Sequence, residues 1–447
     1  MKKLLALLLA LAMLLCLAAC SDTSTADPEE QSAIELSLWT YPAGDWSDKA
    51  TVEELVRQFN AVYPDIHVTV QCLDEATGDS KLSTAVDGGQ APDVLLARPE
   101  QLVKVWGAQG MLVDLADLWD DTDKQEINDV CQSTCFTSDG ACYVYPLAMN
   151  VQCMAINYTA FVNAGADQYV DLESRTWTTE QFTQAVKALY SKYGETVAAV
   201  YCSGQNGDDG TRALVTNLYG GTFTNDAHTL YTANSEANVQ ALQLLQEMNG
   251  VEFDDAINGQ EEAQLFYQEA LKMSFCWGLE QQMTPVVEEP AEEGGEPVIH
   301  DAGTTKNGQV IECMAYPSET GESRLPGEVW GFGIFDSGDA ERIEAASLLI
   351  RYFADGQGTA AAVRATGCFP VRATANGTSL SDLWAGNDNM TSYETLVDYI
   401  GSYDQLTPGW ATARTEWWNM LQRIGDGCDV AIESATLVAN ANAAARE

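Results

Sequence analysis

The sequence predicts an α/β protein, an open and largely parallel sheet with helices on its faces, and three observations predict it. Short stretches that alternate with a period of two take turns with stretches of helical period from Ile34 to Ala108. The run Val94-Leu95-Leu96-Ala97 contains no polar residue, as a parallel strand covered on both faces requires. The same succession resumes at Tyr143 and continues towards the C-terminus.

Ile34-Glu35-Leu36-Ser37-Leu38-Trp39 reads as the first strand. From Asp48 to Tyr63 a helical face collects Val52, Leu55, Val56, Phe59 and Tyr63, and Pro64-Asp65 ends it. Ile66, Val68 and Val70 alternate as a second strand, and a helix from Lys81 to Val86 stops at Gly88-Gly89. Pro92-Asp93 leads into the apolar third strand, and Glu100 to Ala108 reads as another helix. Tyr143 to Pro146 and Val151 to Asn157 are strand-like. Thr178-Thr179-Glu180-Gln181 has the form of a capping box ahead of Phe182, Val186, Leu189 and Tyr190. A strand at Val197 to Tyr201, a helix through Val239, Leu242, Leu245 and Met248, and a helix from Ala263 to Leu271 running into the strand Met273 to Trp277 follow. Glu288 to Pro297 is an acidic, low-complexity segment with the composition of a surface loop. Val329 to Phe335 reads as a strand, Ala340 to Phe353 as an amphipathic helix, and the tail from Trp410 as helical.

The N-terminus speaks about location. Lys2 and Lys3 precede an apolar run from Leu4 to Leu15, too short for a membrane span, which takes about 20 residues. It ends in Leu17-Ala18-Ala19-Cys20, which resembles a bacterial lipobox. That resemblance implies a signal peptide over 1–19 and a diacylated Cys20 at the outer face of the cell membrane. Residues 20–33, with Ser, Thr, Asp, Pro and Glu and almost nothing apolar, read as a disordered tether.

The formal charge of −44, from 22 basic and 66 acidic side chains, excludes nucleic acid as a partner, because that contact needs a basic patch. The length beyond the tether suggests two domains or more. Ten cysteines remain after Cys16 and Cys20, enough for disulfides, but their spacing dictates no pairing, and most read as buried small apolar residues or as one or two bridges. Cys131, Cys135 and Cys142 cluster without a nearby histidine, so a metal site is not expected. No GxSxG, HExxH or P-loop pattern is present.

The segments resemble, in order, the family 1 extracellular solute-binding proteins of ABC importers. The pieces that carry the likeness are Phe59-Asn60-Ala61-Val62-Tyr63-Pro64-Asp65-Ile66, Lys81-Leu82-Ser83-Thr84-Ala85 with Gly88-Gly89-Gln90-Ala91-Pro92-Asp93-Val94, and Gly110-Met111-Leu112-Val113-Asp114-Leu115. Ile156-Asn157-Tyr158, Thr176-Trp177-Thr178-Thr179-Glu180-Gln181-Phe182 and Glu344-Ala345-Ala346 complete them. The resemblance implies a two-lobed, periplasmic-binding-protein-like (type II) fold with hinge crossovers near Tyr145 to Asn150 and Trp330 to Phe335. Lobe one would take 34–148 plus 330–385, and lobe two 151–328 plus 386–447. It also implies a monomer that captures a solute, expected to be a mono- or oligosaccharide, by lobe closure and presents it to permease subunits. No cofactor, metal or catalysis is expected. A polyamine or peptide ligand, or a surface glycan-active enzyme, are the alternative readings.

Ligands of open α/β sheets sit at the carboxyl ends of strands, and flat sugar faces pack on aromatic rings. On that ground Trp39, Tyr41, Trp277, Trp330 and Trp410 are the aromatic candidates. In the family, tryptophans at the positions resembling Trp277 and Trp410 stack on sugar. Asp45, Gln101, Asn150 and Glu280 are the polar candidates.

Overall fold

The computed structural model describes residues 33–74, 76–137, 139–288, 298–402 and 407–446. The leader, Cys20, the tether up to residue 32 and the acidic segment beyond Glu288 lie outside the described residues.

Strands β1 (Ile34–Thr40), β2 (Ile66–Cys72) and β3 (Val94–Ala97) pair in parallel, with Ile34 opposite Ile66 and Leu38 opposite Val94. Leu36, Leu38 and Thr40 point into the core, while Glu35 is exposed, as the period of two predicts. All four residues of β3 are buried. β4 (Tyr145–Val151) belongs to the same sheet, but β5 (Cys153–Asn157) begins another. β6 (Ala198–Tyr201) and β7 (Val251–Asp254) form a parallel pair. β8 (Met273–Trp277) pairs with β5, and β9 (Val286–Glu288) with β10 (Val298–His300). β11 (Ile311–Met314) takes the other edge of β5. The chain then returns through β12 (Leu325–Ile334), which runs antiparallel to both β3 and β4. The short strands β13 (Phe369–Pro370), β14 (Thr374–Ala375) and β15 (Thr378–Ser379) follow, and β16 (Ile400–Ser402) adds beside the start of β12. The first sheet has the order β13-β4-β12-β3-β1-β2 and the second β11-β5-β8.

Each sheet has its own aromatic core. Trp46 meets Phe332 and Phe353 edge to face at centroid distances of 5.7 and 5.5 Å, and its Nε1 donates to Ala362 O at 3.0 Å. Around the second sheet Trp177 packs edge to face on Phe182 at 5.5 Å. The helix Thr179–Tyr193 starts at the expected capping box on Thr178 and Gln181.

The passages between sheets differ slightly from expectation. The first lies at Gln152, between β4 and β5, because β4 continues to Val151. The return lies at Leu325 and Pro326, which pair with β16, just ahead of Gly327 where β12 begins to pair with β4. The two passages are tied together: Gln152 N donates to Pro326 O at 2.9 Å. β16 joins them, and a Cβ on Gly327 would fall 2.3 Å from Ile400 Cδ1, so the close packing there suits glycine. Arg372, buried, clamps β4 from behind. Its Nε donates to Asp123 Oδ1 at 2.7 Å, it also donates to Pro146 O, and its guanidinium lies 4.6 Å from the Tyr145 ring centroid.

Two sequence expectations change, and the reading of the cysteines as buried apolar side chains holds for most of them. Glu100–Gly107 winds as a π-helix, with Ala108 N bonded to Val103 O. The helix Asp208–Leu218, absent from the elements read in the sequence, is buried at nine of its eleven positions. The cysteines from Cys72 to Cys428 are free thiols, and all but Cys72 and Cys428 are buried. Burial pushes Cys131 and Cys142 up to about 12, so they stay protonated. Among the described residues, no group of three metal-ligating side chains is assembled and no helix is long and apolar enough to cross a membrane.

Glu262, fully buried on the helix Gly259–Tyr267, accepts from Phe275 N at 2.7 Å and lies 2.5 Å from Ser274 Oγ. Burial raises its carboxyl from 4.5 to about 8, so the fold favours the protonated form. The stability this supplies is complete below the ordinary carboxyl range and is lost as pH rises through about 8. Glu262→Gln keeps an acceptor and a donor in place. The melting temperature of the wild type should therefore fall relative to that of the variant between about pH 5 and about pH 9. A constant difference across that range would contradict the assignment.

Candidate functional site

A cavity of about 640 Å³ opens where the two sheets meet. Its floor is the paired passage itself, Asn150 to Gln152 and Pro326 to Glu328. One wall comes from Arg98 and Glu100, which follow the carboxyl end of β3. The other comes from Gly278 to Gln281, which follow β8, together with Asp209, Trp410 and Arg414. Strand ends from two sheets and an aromatic side chain thus face one space, the arrangement in which open α/β sheets bind ligands.

The charged groups are held in place. Arg98 Nη1 donates to Glu328 Oε1 at 3.1 Å, and its guanidinium lies 5.4 Å from the centroid of the Trp330 ring. Withdrawal from water raises the Glu328 carboxyl above its usual range, and Arg98 opposes that rise. On the other wall Asp208, 2% exposed, anchors two arginines. Arg414 reaches it through Nη2–Oδ1 at 2.6 Å and Nε–Oδ2 at 3.0 Å, and also donates to Gln205 O at 2.6 Å. Arg212 pairs with both Asp208 and Asp209, and its guanidinium lies 4.8 Å from the Trp410 ring centroid and 5.3 Å from that of Phe223. The two aspartates occupy the first turn of the helix Asp208–Leu218, where the helix dipole favours negative charge. Asn150 turns its Oδ1 onto Val151 N at 2.9 Å, and Gln152 Nε2 points towards Cys276 Sγ at 3.9 Å. The Cys276 thiol, pushed up to about 12 chiefly by burial, is not a nucleophile.

Of the sequence candidates, Asn150, Glu280 and Trp410 line this cavity. Trp39 lines a separate hollow with Gln71, Ser80 and Lys81, beside the helix Gly78–Asp87. Trp277, a candidate ligand-stacking ring, is fully buried and lies outside the cavity lining, a correction to that reading. It packs on Phe266 and Tyr267 at 5.3 and 5.2 Å, and its Nε1 donates to Gln282 Oε1 at 2.9 Å, because the helix Gly259–Tyr267 covers the end of β8. Trp330 is also buried and acts from beneath, as the platform for Arg98. Tyr41 is buried, with its hydroxyl donating to Asp79 Oδ1 at 2.5 Å. Asp45 is exposed in the 3-10 turn Gly44–Ser47 and does not line the cavity. Gln101 stands beside Glu100 but outside the lining, with its Oε1 buried and unpartnered. Arg98, Glu100, Gln152, Asp209, Glu328 and Arg414 were missed. Two signals could have found some of them: Arg98 directly follows the apolar run of β3, and Arg414 is four residues past Trp410 on one helix face.

Residues 54–392 match the family model of the bacterial extracellular solute-binding proteins. No curated protein sequence matches the chain. Among solved structures, the cyclic α-maltosyl-1,6-maltose binding protein of Arthrobacter globiformis aligns over 92% of this chain and 99% of its own, at 18% identity and a TM-score of 0.70. A family 1 extracellular solute-binding protein from Alicyclobacillus acidocaldarius covers 94% of this chain and 100% of its own, at 16% identity and a TM-score of 0.64. The GacH receptor of Streptomyces glaucescens, determined unliganded and with acarbose, aligns over 92% and 98% at 14% identity, with a TM-score of 0.62. At such identities the likeness speaks for the fold, and it agrees with the two-lobed architecture that the sequence implies.

The anchoring role of Asp208 can be tested directly. Asp208→Asn leaves Arg212, itself 4% exposed, with only Asp209 to balance it, and leaves Arg414 with its bond to Gln205 O but no carboxylate partner. Breaking a buried ion network in this way typically costs about 3–5 kcal/mol. Denaturant unfolding should show a loss of that order, and unchanged stability would remove Asp208 from its central place in the wall.

Proposed function

Because the chain belongs to the bacterial extracellular solute-binding proteins, we propose that the cavity between its sheets captures a carbohydrate and that the loaded protein delivers it to an ABC importer. The observation that carries this reading is one cavity at the carboxyl ends of β3 and β8 with Trp410 and several hydrogen-bonding side chains on its walls. A sugar offers a flat C–H face to an aromatic ring and hydroxyls to amides, carboxylates and guanidiniums, and the cavity holds all of these groups. That the similar structures include a cyclic α-maltosyl-1,6-maltose binding protein and a receptor determined with acarbose supports the same ligand class.

The action is capture without catalysis. A solute that touches both walls favours the closed arrangement by its differential contacts, and the tied passages at Gln152 and Pro326 lie on the line about which the lobes would close. Cys20 carries the lipid that keeps the protein at the outer face of the membrane, with the tether behind it giving reach. The protein works as a monomer against permease subunits.

Thermal melting of the purified protein against a panel of mono- and oligosaccharides tests the reading, since a ligand bound only by the folded state raises the melting temperature by mass action. One sugar class should raise it selectively, and Trp410→Ala should weaken binding of that sugar roughly tenfold. No response to any saccharide, or release of a product from one, would overturn the proposal.

A further inference from the structure

We propose that the cavity selects a solute bearing a protonated amine, an amino sugar in preference to its neutral or acidic counterpart. The inference rests on the carbohydrate reading of the same cavity and follows from which charges there are already spent.

Six charged side chains line the space: Arg98, Arg414, Glu100, Asp209, Glu280 and Glu328. Both cations are engaged, Arg98 with Glu328 at 3.1 Å and Arg414 with Asp208 at 2.6 Å. Asp209 is engaged with Arg212. Glu100 and Glu280 are left, and neither forms an ion pair with another described residue. Lys104 feels the charge of Glu100, one turn away on the same π-helical segment, but makes no ion pair with it.

A second observation makes Glu100 more than a surface acid. Its Oε2 is buried and has no hydrogen-bond partner, and the neighbouring Gln101 Oε1 is buried and unpartnered as well. Both atoms can only accept, and a buried acceptor left unmatched is costly. Glu280 approaches from the side of the second sheet, at the start of the short helix Leu279–Met283. The cavity therefore offers uncommitted negative charge on both walls and no uncommitted positive charge among its described lining residues.

The consequence for each ligand chemistry is direct. A uronate would have to break one of the arginine pairs to find a cation. A neutral sugar can donate hydroxyls to Glu100 but leaves the charge uncompensated. An ammonium group donates up to three N–H bonds and brings the matching charge, and such charge-assisted bonds are about twice as strong as neutral ones.

Calorimetric titration of the protein at mildly acidic pH, where sugar amines are protonated, tests this with matched pairs. The probes are glucosamine and glucose, galactosamine and galactose, the β-1,4 glucosamine trimer and cellotriose, with trigalacturonate and spermidine as controls. The amine member of at least one pair should bind roughly tenfold or more tighter than its hydroxyl twin, with trigalacturonate not binding. Glu100→Gln and Glu280→Gln should each shrink the ratio of amine to neutral affinity within a pair. Equal affinity within every pair, or a preference that survives both substitutions, would overturn the amine selection and leave the carbohydrate reading standing. Binding of spermidine with no sugar would support the charge selection and overturn the carbohydrate reading. No binding of any probe would overturn both.

Discussion

One hydrogen bond, from Gln152 N to Pro326 O, joins the two strands that carry the chain between its sheets, and the layout of the cleft depends on it. Val151 sits opposite Gly327 one step further along, so the passages leave the first sheet side by side. Tyr393 fastens one end by donating to Val151 O. The Tyr316 hydroxyl lies 2.8 Å from both Cys153 O and Phe275 O, binding β5 to β8 just beyond the passage. Two sheets joined in this way can turn about a narrow line, and the line forms the floor of the cavity. On the proposed reading closure and recognition are one event: a solute resting on the floor would touch the residues about which the lobes turn.

The walls add a different constraint. They are charged, but most of the charge faces other protein groups and not the open space. Asp208 holds Arg212 and Arg414, Arg212 in turn supports Trp410, and Trp330 supports Arg98 beside Glu328. Such networks fix side chains before a ligand arrives, which lowers the ordering cost of binding. They also leave a short list of groups free to speak for specificity. Preorganised cations that are already paired do not recruit anions, and the remaining acceptors set the preference.

Much of the fold was legible because its signals are local. Leu36, Leu38, Ile66 and Val68 announce β1 and β2 by alternation alone, and Val94 to Ala97 announces a strand buried on both sides. Thr178 and Gln181 announce a helix start through a bond that spans three residues. The site was less legible because its parts meet across long separations. Arg98 finds Glu328 across 230 residues, and Arg414 finds Asp208 across 206. The helix Asp208–Leu218 opens on Asp208-Asp209-Gly210, which sequence reading assigns to a loop, and a Cβ on Gly210 would lie 1.9 Å from Phe275 O. Trp277 stands at the carboxyl end of a strand, which points to a ligand-facing ring. What buries it is the helix Gly259–Tyr267, which strand-end reasoning does not weigh. The π-helical winding of Glu100–Gly107 leaves no mark in an apolar pattern that an α-helix would share.

Solution X-ray scattering of the protein, alone and saturated with a sugar that raises its melting temperature, tests the central claim most directly. A hinge at Gln152 and Pro326 that closes on its solute predicts a smaller radius of gyration in the saturated sample. Superimposable curves at saturation would contradict the claim that capture and lobe movement are coupled through that floor.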